Sequence, residues 1–244
     1  MSEMEIIDET KAPKVTVVVA GTNSPSNAEL LADTFIEGMK ESGVEVSKII
    51  LRDLHIKHFT LERYQPHCSD KDDDFCRLEP LLADADGVVF ATPIWNFSVP
   101  AHLKNLIDRM GAFALDTAGR SRGQLKAKPF FMIYTGGAPM IAWKALLYLT
   151  TLHVTEAIKY YDGTVVGRHF EPKCVPGRGK FGLVVDQRPA TLAAMKKKGL
   201  KFGAVALHYK ENGTLPVRVR LAHQFFSFLY RVGNRIMYPI STLQ

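Results

Sequence analysis

Three short polar stretches of this chain carry residue types suited to holding a small anionic or aromatic molecule. The first, Gly21–Asn27, lies between a β-branched run and an amphipathic one and contains no carboxylate that would repel an anion. Hydroxyl and amide donors at a helix start, with backbone N–H groups beside them, favour a phosphate. We therefore expect phosphate contacts from Thr22, Ser24, Ser26 and Asn27. The same residue types are also preferred helix N-caps, and this alternative stays open.

The second stretch, Thr92–Phe97, places two aromatic residues directly after the buried run Gly87–Phe90. A flat heteroaromatic ring needs a planar apolar surface and nearby hydrogen-bond donors, and this loop offers both. The candidate ring-binding residues are Pro93, Ile94, Trp95, Asn96 and Phe97. Alternatively, Trp95 is a core anchor or an oligomer contact, because tryptophan is enriched at interfaces.

The third stretch, Thr135–Gly137, ends another apolar run. Glycines without a Cβ allow the backbone to approach a ligand closely, which makes Thr135, Gly136 and Gly137 candidates for the same ring. An ordinary strand-to-helix turn is the alternative. Together the three stretches predict one binding site that takes a phosphate at one end and a ring at the other.

Alternating strands and helices position these stretches. Strands are predicted at 14–20, 44–51, 87–90, 129–134 and 160–166, and helices at 28–42, 75–85, 101–110, 140–158 and 189–209. This alternation predicts an α/β fold, a flavodoxin-like three-layer α/β/α sandwich on a five-stranded parallel sheet of order 2-1-3-4-5, with an extra C-terminal helix. We expect a flexible leader at 1–13, a flavodoxin-like ligand-binding domain at 14–210 and a helical extension at 211–244.

Composition and charge exclude several classes of protein. The net charge of +6 permits anionic partners, but no recognition motif accompanies it, so nucleic-acid binding is not expected. No signal peptide or membrane-spanning run is visible, and three unevenly spaced cysteines do not form a secreted disulfide framework, which predicts a cytoplasmic protein. The first loop also lacks the glycine–lysine pattern of nucleoside triphosphate sites.

The chain resembles the NAD(P)H-dependent FMN reductase family of flavodoxin-like flavoproteins over roughly residues 14 to 165. The resemblance rests on Gly21–Asn27, on the strand and loop Asp84–Trp95, and on the helix Pro100–Arg109. It implies FMN, with its phosphate on 22–27 and its isoalloxazine against 93–97 and 135–138. It further implies NADH or NADPH as reductant, a small acceptor (quinone, flavin, nitro or azo compound), ping-pong transfer, and a homodimer or homotetramer. No catalytic acid or base is implied.

The chain also departs from that family. Trp95 stands where the family usually has tyrosine, and the phosphate loop lacks the arginine often found there. Relatives carry a cysteine-rich iron–sulfur segment, whereas only Cys68 and Cys76 remain here, which is too few for a cluster. The histidines and aspartates of the polar loop 52–74 match no standard metal spacing. We expect neither an iron–sulfur centre nor another metal.

Two further functions stay open at this stage: a flavin electron carrier that docks a protein partner, and a binding module without a cofactor. The basic stretch 167–182 suggests a hypothesis in which Arg168, Arg178 or Lys180 meets a nicotinamide dinucleotide phosphate. The aromatic helix predicted at 217–237 suggests packing on the domain or on a second copy, with peripheral contact to a membrane or quinone as the alternative.

Overall fold

The fold is built on a parallel sheet of five strands in the order β2-β1-β3-β4-β5. The computed structural model describes residues 12–65 and 67–221. The strands are β1 (Lys14–Val19), β2 (Glu45–Ile50), β3 (Gly87–Pro93), β4 (Pro129–Thr135) and β5 (Thr164–Glu171). The predicted flavodoxin-like sandwich and its strand order are confirmed.

Helices cover both faces of this sheet. They are α1 (Asn27–Lys40), α2 (Phe75–Ala83), α3 (Ala101–Ala114), α4 (Met140–Ala145), α5 (Leu152–Tyr160) and α6 (Pro189–Asn212). One buried layer joins α1 and α6 to the sheet through Phe35 and Phe202, and the other joins α2, α3 and α5 through side chains such as Leu106. Helices α1 and α6 approach closely, since a Cβ on Gly199 would lie 2.0 Å from the carbonyl oxygen of Phe35.

The single helix predicted over 140–158 is wrong. Helix α4 ends at Ala145, a 3₁₀ turn covers Leu147–Thr151, and α5 then begins at Leu152. The backbone leaves the helical region at Leu146, where φ is −142°. Buried Trp143, Val154 and Ile158 keep a helical spacing across this break, so apolar periodicity could not reveal it.

The fifth strand was predicted too early, at 160–166. It begins at Thr164, and it continues through residues that sequence analysis assigned to a basic loop. Its polar end is paired rather than solvated: Glu171 accepts hydrogen bonds from His169 (3.0 Å) and Arg188 (2.5 Å). Hydrogen bonds from these two groups hold the pKa of Glu171 below its usual value, although burial acts to raise it. Pairing with Arg188, directly before α6, therefore makes a polar sequence compatible with a strand.

The polar loop 52–74 is held in place by buried polar side chains of α3. Arg109 is 1% exposed, and its guanidinium lies 2.7 Å from Asp73 and donates a 2.8 Å hydrogen bond to the carbonyl of Lys57. Asn105 accepts a hydrogen bond from the backbone of Phe59 at 2.8 Å. Arg109, the last residue of the stretch Pro100–Arg109 that resembles the family, is therefore structural. A disulfide joins Cys68 and Cys76, a pairing that sequence analysis did not predict.

Some predictions lie outside the described residues. The leader at 1–13 and the helix at 217–237 fall largely there, although residues 217–221 are helical as predicted. Helix α6 ends at Asn212, two residues beyond the predicted domain boundary at 210, and the domain division stays a prediction. In the part of the chain that the structure covers, every helix is too short or too polar to span a bilayer.

Candidate cofactor-binding site

The loop between β1 and α1 presents backbone donors at the carboxyl edge of the sheet. Within the described part of the chain, the backbone N–H groups of Thr22, Asn23, Ser24, Ser26 and Asn27 donate to no protein acceptor. The side chains of Thr22 and Ser24 are exposed. Free N–H groups at the start of a helix form an anion-binding site. The loop therefore has the donors that the predicted phosphate contact requires.

The three buried residues of this stretch, Gly21, Ser26 and Asn27, have structural contacts as well. Ser26 is the N-cap of α1, and its hydroxyl accepts a hydrogen bond from the backbone of Glu29 at 3.4 Å. Gly21 must be a glycine, because a Cβ there would lie 2.4 Å from the Ser26 hydroxyl. The Asn27 side chain makes three hydrogen bonds to backbone groups of residues 182–185, and its backbone N–H stays available to a phosphate.

A cation that sequence analysis missed lies beside the phosphate loop. Arg52, in the 3₁₀ turn that follows β2, donates to the carbonyl of Asn23 at 3.4 Å and to Glu29 at 3.1 Å. Lys48 also contacts Glu29 at 3.1 Å. Burial acts to raise the pKa of Glu29, but hydrogen bonds from Lys48 and Arg52 outweigh burial, and the pKa lies below its usual value. The first-turn carboxylate is thus neutralised by two cations. Adjacency of β2 to β1 is the signal that could have identified Arg52.

The second and third predicted stretches meet at a common cavity of about 250 Å³. The backbone N–H of Ile94 donates to the carbonyl of Thr135 at 2.8 Å, which ties the β3 loop to the end of β4. The cavity is lined by Ile94, Asn96, Phe97, Gly136, Gly137, Ala138, Trp143 and Phe170. Five of the predicted ring-binding residues are in this lining, whereas Pro93, Trp95 and Thr135 are not.

Two aromatic residues that sequence analysis missed complete the cavity. Trp143 and Phe170 stack with ring centroids 4.2 Å apart and planes 9° apart. A Cβ on Gly136 would lie 3.0 Å from the Phe170 ring, so this glycine keeps the cavity open. Phe170 is in the part of β5 that was predicted to be a loop, and Trp143 precedes the unexpected break after α4.

Trp95 does not face the cavity. Its indole packs against Phe181 with ring centroids 4.7 Å apart, and its Nε1 is buried with no hydrogen-bond partner among the described residues. His102, in the first turn of α3, has a buried and unpartnered Nε2 as well. Burial lowers the pKa of His102, and a hydrogen bond to the backbone of Ala20 opposes this. Two polar atoms beside the site thus lack protein partners.

The model of the NADPH-dependent FMN reductase family matches residues 13–166, which contain all three stretches. The chain belongs to this family. The predicted family is therefore confirmed, and its description agrees with the predicted FMN and nicotinamide cofactors.

Individual relatives are more distant. An FMN-dependent NADH:quinone oxidoreductase of Pelagibacter ubique is 32% identical over 107 residues, which cover 42% of this chain and 49% of that protein. An iron-sulfur flavoprotein of Archaeoglobus fulgidus is 27% identical over 100 residues, 40% of this chain and 45% of that protein. The chain thus spans about half the length of these curated relatives.

Solved structures share the fold. The NAD(P)H:quinone oxidoreductase from Methanothermobacter marburgensis superposes with a TM-score of 0.59 at 18% identity and covers 78% of this chain and 97% of that one.

The residues present fit FMN. The free N–H groups of the β1–α1 loop suit its phosphate, and the mostly apolar cavity beside β3 and β4 suits its ring. The unpartnered Trp95 Nε1 and His102 Nε2 leave donor or acceptor capacity for a ligand beside these loops. The assignment of individual contact residues stays a prediction.

Proposed function

We propose that this protein is an FMN-dependent NAD(P)H oxidoreductase that reduces a small electron acceptor in a ping-pong cycle. The proposal rests on one observation. Free backbone N–H groups at 22–27 and an apolar cavity lined by aromatic residues lie at the same edge of the sheet. Membership in the FMN reductase family supports it.

The protein contributes binding and orientation. When bound, FMN accepts a hydride from the nicotinamide and passes electrons to the acceptor. The loop 22–27 holds the phosphate, while the lining residues of the cavity hold the ring against the Phe170–Trp143 stack. None of the described lining residues is ionisable. The side chains around the ring thus fix its position and exclude water without exchanging protons with it.

The test is reconstitution followed by reduction. Purified protein is mixed with FMN, and unbound flavin is removed. We expect retained yellow absorbance, its bleaching by NADH or NADPH without oxygen, and its return on adding a quinone, flavin, nitro or azo compound. Bound FMN that neither nicotinamide bleaches supports the electron carrier instead, and failure to retain FMN contradicts both.

The acceptor class, assembly and compartment complete the proposal. The quinone activity in the name of the Pelagibacter ubique relative favours a quinone among the small acceptors. We place the enzyme in the cytoplasm as a homodimer or homotetramer. Exposed apolar side chains next to the cavity, Phe97 (68%), Ile141 (78%) and Leu146 (63%), support self-association. Sedimentation analysis and cell fractionation test these two points.

A further inference from the structure

The segment after β5, residues 172–185, lies beyond the residues that match the FMN reductase family. We refer to it as the strap. Its first end is fixed beside the ring cavity. The backbone N–H of Cys174 donates to the carbonyl of Gly136 at 2.9 Å, and that of Lys173 donates to Ala138 at 3.2 Å. Both acceptors line the cavity.

The second end of the strap is fixed on the phosphate side. The Asn27 side-chain amide donates to the carbonyl of Gly182 at 2.8 Å, and its oxygen accepts from Val184 at 2.8 Å and Val185 at 3.1 Å. Asn27 is the first residue of α1, directly after the phosphate loop. The strap therefore crosses from the ring side of the site to its phosphate side.

Between these anchors, the strap forms a turn whose tip is exposed. The backbone N–H of Lys180 donates to the carbonyl of Gly177 at 2.9 Å, and Phe181 rests on Trp95 of the ring loop. Arg178 and Lys180 are both exposed, and the side chain of neither has a hydrogen bond or ion pair within the described residues. The turn thus carries two unpaired cations next to the site.

The electrostatic character of the strap is uniformly positive. Residues 172–185 include Lys173, Arg178 and Lys180 but no aspartate or glutamate. The carboxylate that precedes the strap, Glu171, is buried and already paired with Arg188 and His169. The cations at the tip are therefore not neutralised by an acidic side chain of the strap itself. Arginine and lysine in such a setting favour phosphate ligands.

We propose that the strap binds the phosphate groups of the nicotinamide dinucleotide, with Arg178 and Lys180 as the contacting side chains. The inference rests on the proposed function, because the dinucleotide must deliver its nicotinamide to the flavin ring. The phosphate of FMN has the N–H groups of 22–27 as its own donors. A second phosphate-bearing molecule that reaches the ring from outside meets the strap instead.

The test compares two double variants of the FMN-loaded protein. Arg178→Ala/Lys180→Ala removes the proposed contacts, and Lys71→Ala/Lys201→Ala removes two exposed cations of the 52–74 loop and α6. Calorimetric titration with NADP⁺ and with NAD⁺ gives the Kd of each, and flavin fluorescence gives the Kd of FMN. We expect at least about tenfold weaker dinucleotide binding in the strap variant alone, with the Kd of FMN within about twofold of wild type.

Each result is decisive. Loss confined to NADP⁺ assigns the cations to the 2′-phosphate, and an equal loss for NAD⁺ assigns them to the pyrophosphate. Both support the proposal. Unchanged NADP⁺ and NAD⁺ binding in the strap variant overturns the proposal. So does weakened FMN binding with unchanged dinucleotide binding. An equal loss of dinucleotide binding in the control variant overturns it as well. If wild-type protein retains FMN and is reduced by NADPH, and the strap variant has the same KM for NADPH, the proposed role of the strap is refuted and the proposed function survives. Failure of wild type to retain FMN refutes the proposed function as well.

Discussion

Replacing Ser26 by aspartate places a negative charge at the predicted phosphate site without removing the helix cap. Ser26 is 5% exposed and is the N-cap of α1. Aspartate, asparagine and serine are about equally good N-caps, so Ser26→Asn is a matched control that differs from Ser26→Asp by one charge and not by size. Any difference between these two variants in FMN binding therefore reports on electrostatics.

The expected magnitude follows from Coulomb's law. A carboxylate about 4 Å from one phosphate charge costs about 4 kcal/mol at an effective dielectric constant of about 20. This corresponds to roughly a thousandfold weaker Kd. The neighbouring Glu29 does not mask the effect, because Lys48 and Arg52 already neutralise it.

The assay measures the Kd of FMN and of riboflavin, which lacks the phosphate, for wild type and both variants. Quenching of flavin fluorescence gives each value, and thermal unfolding verifies that both variants fold. We expect FMN to bind far more weakly to Ser26→Asp than to Ser26→Asn, while riboflavin binds the two alike. Equal FMN affinity of the two variants would refute the assignment of the phosphate to this loop.

Three further predictions concern the ring cavity and stability. Gly136→Ala brings a Cβ to 3.0 Å from Phe170 and should weaken FMN binding by at least about tenfold. Gly119→Ala, whose Cβ meets side-chain oxygens of Ser121 at 3.2 Å and Asp116 at 3.7 Å, should leave FMN binding unchanged. Equal FMN affinities of the two variants in fluorescence titrations would contradict the cavity assignment. Asp73→Ala leaves the buried Arg109 without its carboxylate partner and should lower the free energy of unfolding in urea by about 3–5 kcal/mol. Asp70→Ala, which removes the more exposed Lys57–Asp70 pair, should lower it far less. Similar losses for the two variants would show that the buried pair is unimportant. Burial lowers the pKa of Lys128 from 10.5 to about 8. Between about pH 8 and 10.5 the unfolded chain therefore binds more protons at this group than the folded protein does. The free energy of unfolding contributed by this group rises with pH over that range. Lys128→Met should flatten that rise in urea unfolding, and an unaltered pH slope would contradict it.

Much of the fold could be predicted because its central strands are simple. Strands β1, β3 and β4 are almost completely buried runs, and alternation with helices then determines their parallel order. The loops that follow these strands necessarily meet at one sheet edge. That these loops lie together was therefore predictable from sequence alone.

The rest depended on contacts between residues far apart in the chain. The sequence around His169 and Glu171 does not show that α6 and the residue before it supply the partners that let a polar segment become β5. Asn27 has the composition of a phosphate ligand, yet its side chain binds residues more than 150 positions away. Arg52 and Phe170 reach the site through strand neighbours, which become known only with the exact register.

Anaerobic reduction of the reconstituted protein shows directly whether it is an FMN-dependent NAD(P)H oxidoreductase. FMN is added, unbound flavin is removed, and flavin absorbance is followed while NADPH or NADH is titrated. We expect flavin to be retained and its absorbance to be bleached by at least one of the two nicotinamides. Protein that folds but retains no flavin, or retained flavin that neither nicotinamide bleaches, would contradict it.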